Sequence, residues 1–296
     1  MTTTVEPTIV GFFEPGSPEW HAARAQGIGG SEIAAVVGLS PYESRFSLWH
    51  RKKALLGLVE ESEPMYWGKV HEPGIAARFS ELHPELLVAP SPTYAAAGRS
   101  WQIANPDRKV YGEGPVELLE IKTARDDEGW GKQGTDQIPV WYRCQCLWYL
   151  DVLGASRCHV AVLIAGSEYR EYVIDYNADE ATLLREAGAR FMHDLEHDVR
   201  PDIDGHSATY QTVRVLPEGL DDVDVEVDPL LVRRFHDAQD AYWEAEDELT
   251  ACKASLLDVI GTGRRAVLAG DRVATRTVRD GKTHSLMPAR TRRNCR

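Results

Sequence analysis

Residues 105–123 read NPDRKVYGEGPVELLEIKT, and the fold follows from how this stretch pairs with itself. Gly112-Glu113-Gly114-Pro115 is a turn signal between two extended runs, 109–112 and 116–123. A hairpin closed there carries Asp107 back towards Glu120. Side chains alternate along a strand, so Glu120 and Lys122 point one way while Ile121 faces the core. Two carboxylates and a lysine so placed suit a hard divalent cation such as magnesium. Lys122 could then orient or deprotonate a water for phosphodiester hydrolysis. On an exposed edge strand the same residues are an ordinary Glu/Lys surface pair. The tripeptide alone leaves both possibilities open.

Other elements stand in a recognisable order around it. Trp20-His21-Ala22-Ala23-Arg24 is followed by Gly27-Ile28-Gly29-Gly30-Ser31-Glu32-Ile33 and by Gly38-Leu39-Ser40-Pro41-Tyr42. Trp67-Gly68 with Glu72-Pro73, then Asn105-Pro106-Asp107, Leu119-Glu120-Ile121-Lys122-Thr123, and Tyr142 with Gln145 complete the series. Over about residues 18–200 the chain resembles the YqaJ-type viral recombinases, relatives of lambda exonuclease within the PD-(D/E)xK nuclease superfamily. One departure is visible: Arg108-Lys109-Val110 follows Asp107, where many relatives have glycine and an apolar pair.

The resemblance implies an α/β (α+β) restriction-endonuclease-like core with a mixed central sheet flanked by helices. It implies a magnesium-dependent 5′-to-3′ exonuclease on linear double-stranded DNA, leaving 3′ single-stranded overhangs for a single-strand annealing protein in phage-type recombination. The catalytic set would be Glu72, Asp107, Glu120, Lys122 and Gln145. Asp107, Glu120 and the carbonyl of Ile121 would ligate one Mg2+, with Glu72 and Asp107 near a second; Mn2+ could substitute. Lys122, aided by Gln145, would orient the water. Arg24 and Ser31 would hold the terminal 5′-phosphate, with Asn105, Arg125 and Tyr142 as further DNA-side candidates. A ring-shaped homotrimer is implied as well. Two alternatives keep the same residues: an endonuclease of restriction or repair type, and a non-catalytic DNA-binding recombination scaffold.

Composition bounds these expectations. The 296 residues, 43% hydrophobic, suffice for one good core and an appended element. No apolar run reaches the roughly 18 residues of a membrane span, and the N-terminus lacks a basic-then-apolar signal pattern. The five cysteines, Cys144, Cys146, Cys158, Cys252 and Cys295, show no CxxC spacing. That argues against structural zinc or a cysteine-held iron–sulfur cluster, and fits a reducing cytoplasm. A net charge of −13 is unfavourable for phosphate contacts, yet from Thr262 onward ten Lys and Arg face two acids. An acidic exterior with a basic channel still admits DNA.

The periodicity places the remaining elements. Residues 27–30 read as a flexible turn into a helix over 31–37, with Ser31 as N-cap and free amides for an anion. From residues alone, Arg24 and Ser31 are equally a surface arginine and an ordinary cap. A helix over 72–82 sets Glu72, Ile75, Ala76 and Phe79 on one face, making Glu72 either a helix-start acid or a buried carboxylate that needs a partner. A helix over 140–152 places Gln145 between Trp141, Trp148 and Val152. A hairpin over 158–165 and 169–176 follows, then a helix over 178–197 capped by Asn177 in a capping box with Glu180. The expected domains are a core over 1–200, a linker and acidic segment over 201–228, and a C-terminal part over 229–296. The last comprises a long helix over 229–260 with the stripe Leu231, Phe235, Ala238, Tyr242 and Ala245, a hairpin over 267–278, and a loose basic tail.

Overall fold

The structure is a computed structural model and describes residues 6–13, 16–57, 60–217, 219 and 221–289. The chain forms two compact units, one up to Gly219 and one from Leu220 onward. The first unit opens with β1 (Thr8–Gly11), α1 (Pro18–Ala25), β2 (Ile28–Gly29), α2 (Gly30–Val36), α3 (Arg45–Lys52) and α4 (Glu63–Leu82). Five strands follow: β3 (Leu87–Pro90), β4 (Thr93–Ala96), β5 (Arg99–Ala104), β6 (Arg108–Tyr111) and β7 (Glu117–Ala124). The unit closes with α5 (Val140–Leu153), β8 (Arg157–Ile164), β9 (Glu168–Asp175), α6 (Ala178–Glu196) and α7 (Ser207–Val215).

The central sheet has the order β3-β6-β7-β8-β9 and is mixed. β6 and β7 form the expected antiparallel hairpin. α5 carries the chain across to β8, which runs parallel to β7, as a helical crossover allows. β8 and β9 close antiparallel, as their alternation predicts. A second sheet, β1-β4-β5-β2, stands beside it. β7 is the middle strand of the central sheet and is covered on both faces. Leu118 joins the core that contains Leu147, Trp148 and Phe191. Leu119 and Ile121 pack on the other side against Ile75, Ala76 and Phe79 of α4. Burying each such side chain stabilises the fold by about 1.5–3 kcal/mol, so β7 is held from both sides and cannot slip register without exposing a full row.

Several expectations are corrected. The turn at 27–30 is rigid, because Ile28 and Gly29 pair with β5. A Cβ on Gly27 would lie 2.1 Å from the Trp101 carbonyl oxygen, and one on Gly30 would lie 2.3 Å from the Tyr149 ring. These glycines serve close packing, not flexibility. α4 begins nine residues before Glu72, after Ser62 and with Pro64 in its first turn, and runs through Pro73. The pair Ser62/Pro64 is the true start signal; Glu72-Pro73 only imitates one. The segment expected as linker contains α7, which packs on α3 and whose Thr209 hydroxyl donates to Ser44 Oγ at 2.7 Å. Asn177 caps α6 as expected, but Glu180 turns to Arg143, at 2.8 and 2.9 Å, and closes no capping box.

The second unit consists of α8 (Pro229–Ile260) and an antiparallel meander of β10 (Arg265–Leu268), β11 (Asp271–Arg279) and β12 (Lys282–Pro288). The expected hairpin therefore gains a third strand from residues read as tail. The rest of that tail, with Cys295, lies outside the described residues. Ala266, Ala274 and Leu286 of the meander pack on Leu256, Leu257 and Ile260. Among the described residues no helix is long and apolar enough to cross a membrane.

Candidate active site

The β6–β7 hairpin brings Asp107 to β7: the Ile121 amide donates to Asp107 Oδ2 at 2.7 Å. Glu120 points from the opposite face to Ile121, towards α5, and is 2% exposed. Its Oε1 accepts from Gln145 Nε2 at 2.6 Å and from the Lys122 ammonium. The helix face predicted for α5 is what delivers Gln145, and Tyr149, one turn further on, accepts from the same amide at 2.9 Å. The Lys122 ammonium lies 4.8 Å from the Tyr142 ring centre, a cation–π contact. Tyr142 in turn packs on Trp130 and Trp141 and meets Tyr42, whose phenol is pushed up to about 12 by burial and by Tyr142.

Glu120 Oε2 is buried and has no hydrogen-bond partner among the described residues. An unpaired carboxylate oxygen at this depth is costly unless a cation meets it. The electrostatics agree. Burial first, and then the Glu120 charge, push Asp107 well above the usual carboxylate range. Burial raises Glu120 as well, against the pull of Lys122. Burial opposes the charge on Lys122, but Glu120 and Asp107 hold it firmly as an ammonium. Burial and their mutual repulsion thus push both carboxyls towards the protonated form with one lysine beside them, and a bound cation would favour their ionisation.

Glu72 sits at the rim and not within the apolar stripe: it is partly exposed, and Arg108 donates to its Oε1 at 2.7 Å. The same guanidinium donates to the Asp107 carbonyl at 2.6 Å. Among the described residues no three His, Cys, Asp or Glu side chains stand together as a ready metal cage. The donor set nonetheless fits a hard cation: Asp107, Glu120 and Glu72 offer only oxygens, and one of these is buried and unpartnered. Arg108 occupies the third carboxylate as arranged here.

Arg24 and Ser31 are brought together, Nη2 donating to Oγ at 2.7 Å, with the guanidinium stacked 4.4 Å from the Trp20 ring centre. Behind them lies a cluster that the sequence did not reveal. Glu32 is buried and ion-paired to Lys52 at 2.9 Å, Arg51 at 3.1 Å and Arg24 at 3.6 Å. It also accepts from the Gly29 amide at 2.8 Å, so the turn amides expected to bind an anion are at least partly taken. Burial opposes the charge on Glu32, yet Lys52, Arg24 and Arg51 hold its carboxyl far below the usual range. Asn105 donates to the Thr93 hydroxyl, and Arg125 is exposed just past the end of β7. Tyr149, Arg108, Arg51 and Lys52 were missed; of these only Tyr149, four residues after Gln145, carried a local signal.

A profile of the YqaJ-like viral recombinase domain matches residues 19–176, more than half of the chain. The protein belongs to this family. It is 27% identical over 223 residues to uncharacterized protein YqaJ of Bacillus subtilis (strain 168), covering 72% of this chain and 67% of that one. Its fold resembles the crystal structure of an alkaline exonuclease (LHK-Exo) from Laribacter hongkongensis, with TM-score 0.50 and 19% identity. That match covers 62% of this chain and 94% of the exonuclease. The same exonuclease in complex with dAMP matches equally, at TM-score 0.50 and 18% identity. The α/β core with its mixed sheet is therefore the fold of this family.

Proposed function

We propose that the protein is a metal-dependent exonuclease that degrades the 5′ strand of linear duplex DNA, leaving 3′ overhangs for an annealing partner. The carrying observation is the buried, unpartnered Glu120 Oε2 beside Asp107 and the Lys122 ammonium. Asp107, Glu120 and the Ile121 carbonyl would hold Mg2+, with Glu72 and Asp107 beside a second ion. When bound, the metals supply an activated water and charge stabilisation on the attacking and leaving oxygens. The chain's own residues do the positioning. The Ile121 amide pins one oxygen of Asp107, and Gln145 pins Oε1 of Glu120 so that Oε2 stays presented. Lys122, as an ammonium over Tyr142, orients water and offsets developing phosphate charge. A 5′-phosphorylated duplex with each strand labelled separately tests this. Magnesium-dependent loss of the 5′ strand alone is expected; internal cuts would indicate an endonuclease, and no digestion by folded protein would indicate a scaffold.

Arg24 and Ser31 would bind the terminal 5′-phosphate, the pair being preassembled and backed by Arg51 and Lys52. A charge-assisted hydrogen bond contributes about 1.5–3 kcal/mol, so Arg24→Ala should erase a roughly 10- to 100-fold preference for phosphorylated over hydroxyl ends. Digestion rates on the two substrates should converge in the variant. A wild type indifferent to the phosphate would refute the assignment.

Arg108 competes with metal for Glu72. The pair is partly exposed, so it contributes no more than about 1 kcal/mol. Arg108→Ala should then lower the half-saturating magnesium concentration by up to about fivefold. Magnesium titrations of the initial rate check this, and an unchanged or higher requirement would show that Arg108 does not restrain Glu72.

A further inference from the structure

α8 spans 32 residues, and none of them is buried. The stripe Leu231, Phe235, Ala238, Tyr242 and Ala245 continues through Leu249, Cys252, Leu256 and Val259. Its spacings alternate four and three without a break, a period of 3.5. Leu231, Phe235, Tyr242 and Leu249 are 58%, 63%, 63% and 54% exposed, while Leu256 is partly covered by the meander. A seam of this period drifts by about 20° per heptad around a straight helix. A flat surface would lose it within a few turns; a second helix supercoiled around α8 would follow it throughout.

The side-chain sizes say which helix. Calling the Phe235 position a and the Ala238 position d, the a row is Phe235, Tyr242 and Leu249, and the d row is Ala238, Ala245 and Cys252. A parallel pair stacks a on a and d on d, so two crowded rings alternate with near-empty alanine layers. An antiparallel pair stacks a on d. Phe235 then meets Cys252 of a second copy, Ala238 meets Leu249, and Tyr242 meets Ala245. Each of these three central layers combines one large and one small side chain, which fills the seam evenly, and the next pair outward in the same register is Leu231 with Leu256. All three matches share one register, centred near the middle of the helix. In that register the flanking neighbours are Gln239 with Glu246, Ala241 with Glu248, Arg234 with Ser255 and Val232 with Lys253. No like charges meet. Both copies of the four exposed large residues, with the alanines between them, bury on the order of 1,000 Å2, the lower bound of a specific interface.

We propose that α8 pairs antiparallel with α8 of a second copy of this chain, so that the protein assembles through its C-terminal unit in even numbers. The full-length protein, weighed by sedimentation at tens of micromolar, should have an even multiple of 33.0 kDa. The double variant Tyr242→Glu with Leu249→Glu, on an exposed helix face, should halve that mass. A wild-type monomer, an odd multiple, or a mass unmoved by the double variant would overturn the proposal. Direction is read separately in a Cys295→Ser background. There Phe235→Cys should yield a disulfide-linked dimer through Cys252 on mild oxidation, because facing core positions lie within disulfide reach. Cys144, Cys146 and Cys158 are buried and leave the readout to Cys252. Crosslinking by Cys252 without the new cysteine would show a parallel pair, and no crosslink with it would show no pair; either result overturns the proposal even if the charged variants fail to fold.

Discussion

Lys122→Ala should slow digestion of linear duplex by about a hundred- to a thousand-fold, the usual loss when one preorganised charge donor is removed from a reacting centre. Glu120→Gln should cost at least as much, since it removes a buried charge that the proposed metal site needs. Both substitutions lie within a hydrogen-bonded set, so folding needs its own control. Without Lys122 the Glu120 carboxyl can take up a proton, because burial already raises it. Gln at position 120 keeps the shape of the side chain and a partner for Gln145. Both variants should therefore retain cooperative melting and bind duplex in calcium as the wild type does. Retained digestion by either folded variant would sink the roles given to these residues. Lost binding in calcium would instead make them substrate-holding groups. The distinction matters because Lys122 is an ammonium between two carboxylates, which suits it to hold water and phosphate but not to take a proton.

What was legible in the sequence was whatever a short period or a single turn encodes. Alternation along β7 places Glu120 and Lys122 together and Ile121 against α4. Gly112–Pro115 closes the hairpin that returns Asp107, and the helical face of α5 delivers Gln145. What stayed hidden were pairings between distant segments, which leave no mark on local pattern. Glu72 and Arg108 are 36 residues apart, and Glu32 meets Arg51 and Lys52 from 19 and 20 residues away. In sequence Glu32 is an acid in the first turn of α2, where the helix end alone accounts for it. The glycines at 27 and 30 looked flexible because sequence shows the missing Cβ but not the Trp101 carbonyl and the Tyr149 ring that occupy its place.

Glu32→Gln is expected to destabilise the first unit by about 3–5 kcal/mol, the cost of leaving buried charges without their partner. Glu32 is 2% exposed, and Lys52 beside it is nearly as buried. The remaining acid of the cluster, Glu43, pairs with Arg51 at 2.8 Å from a partly exposed position. Loss of the Glu32 charge therefore leaves Lys52 and Arg24 facing each other without compensation. For a unit of this size the melting temperature should fall by on the order of 10 °C. Glu43→Gln should cost no more than about 1 kcal/mol, because solvent screens its pair. The pH dependence separates charge from shape. The folded carboxyl of Glu32 lies far below its unfolded value of 4.5, so its contribution is complete above that pH and is lost as pH falls towards the folded value. The stability gap between wild type and Glu32→Gln should thus be constant from neutrality to about pH 5 and shrink steadily below. Urea melts across that range measure it. A gap that persists undiminished as the pH drops would mean that Gln fails at this position by packing, and that the three cations do not depend on the Glu32 charge.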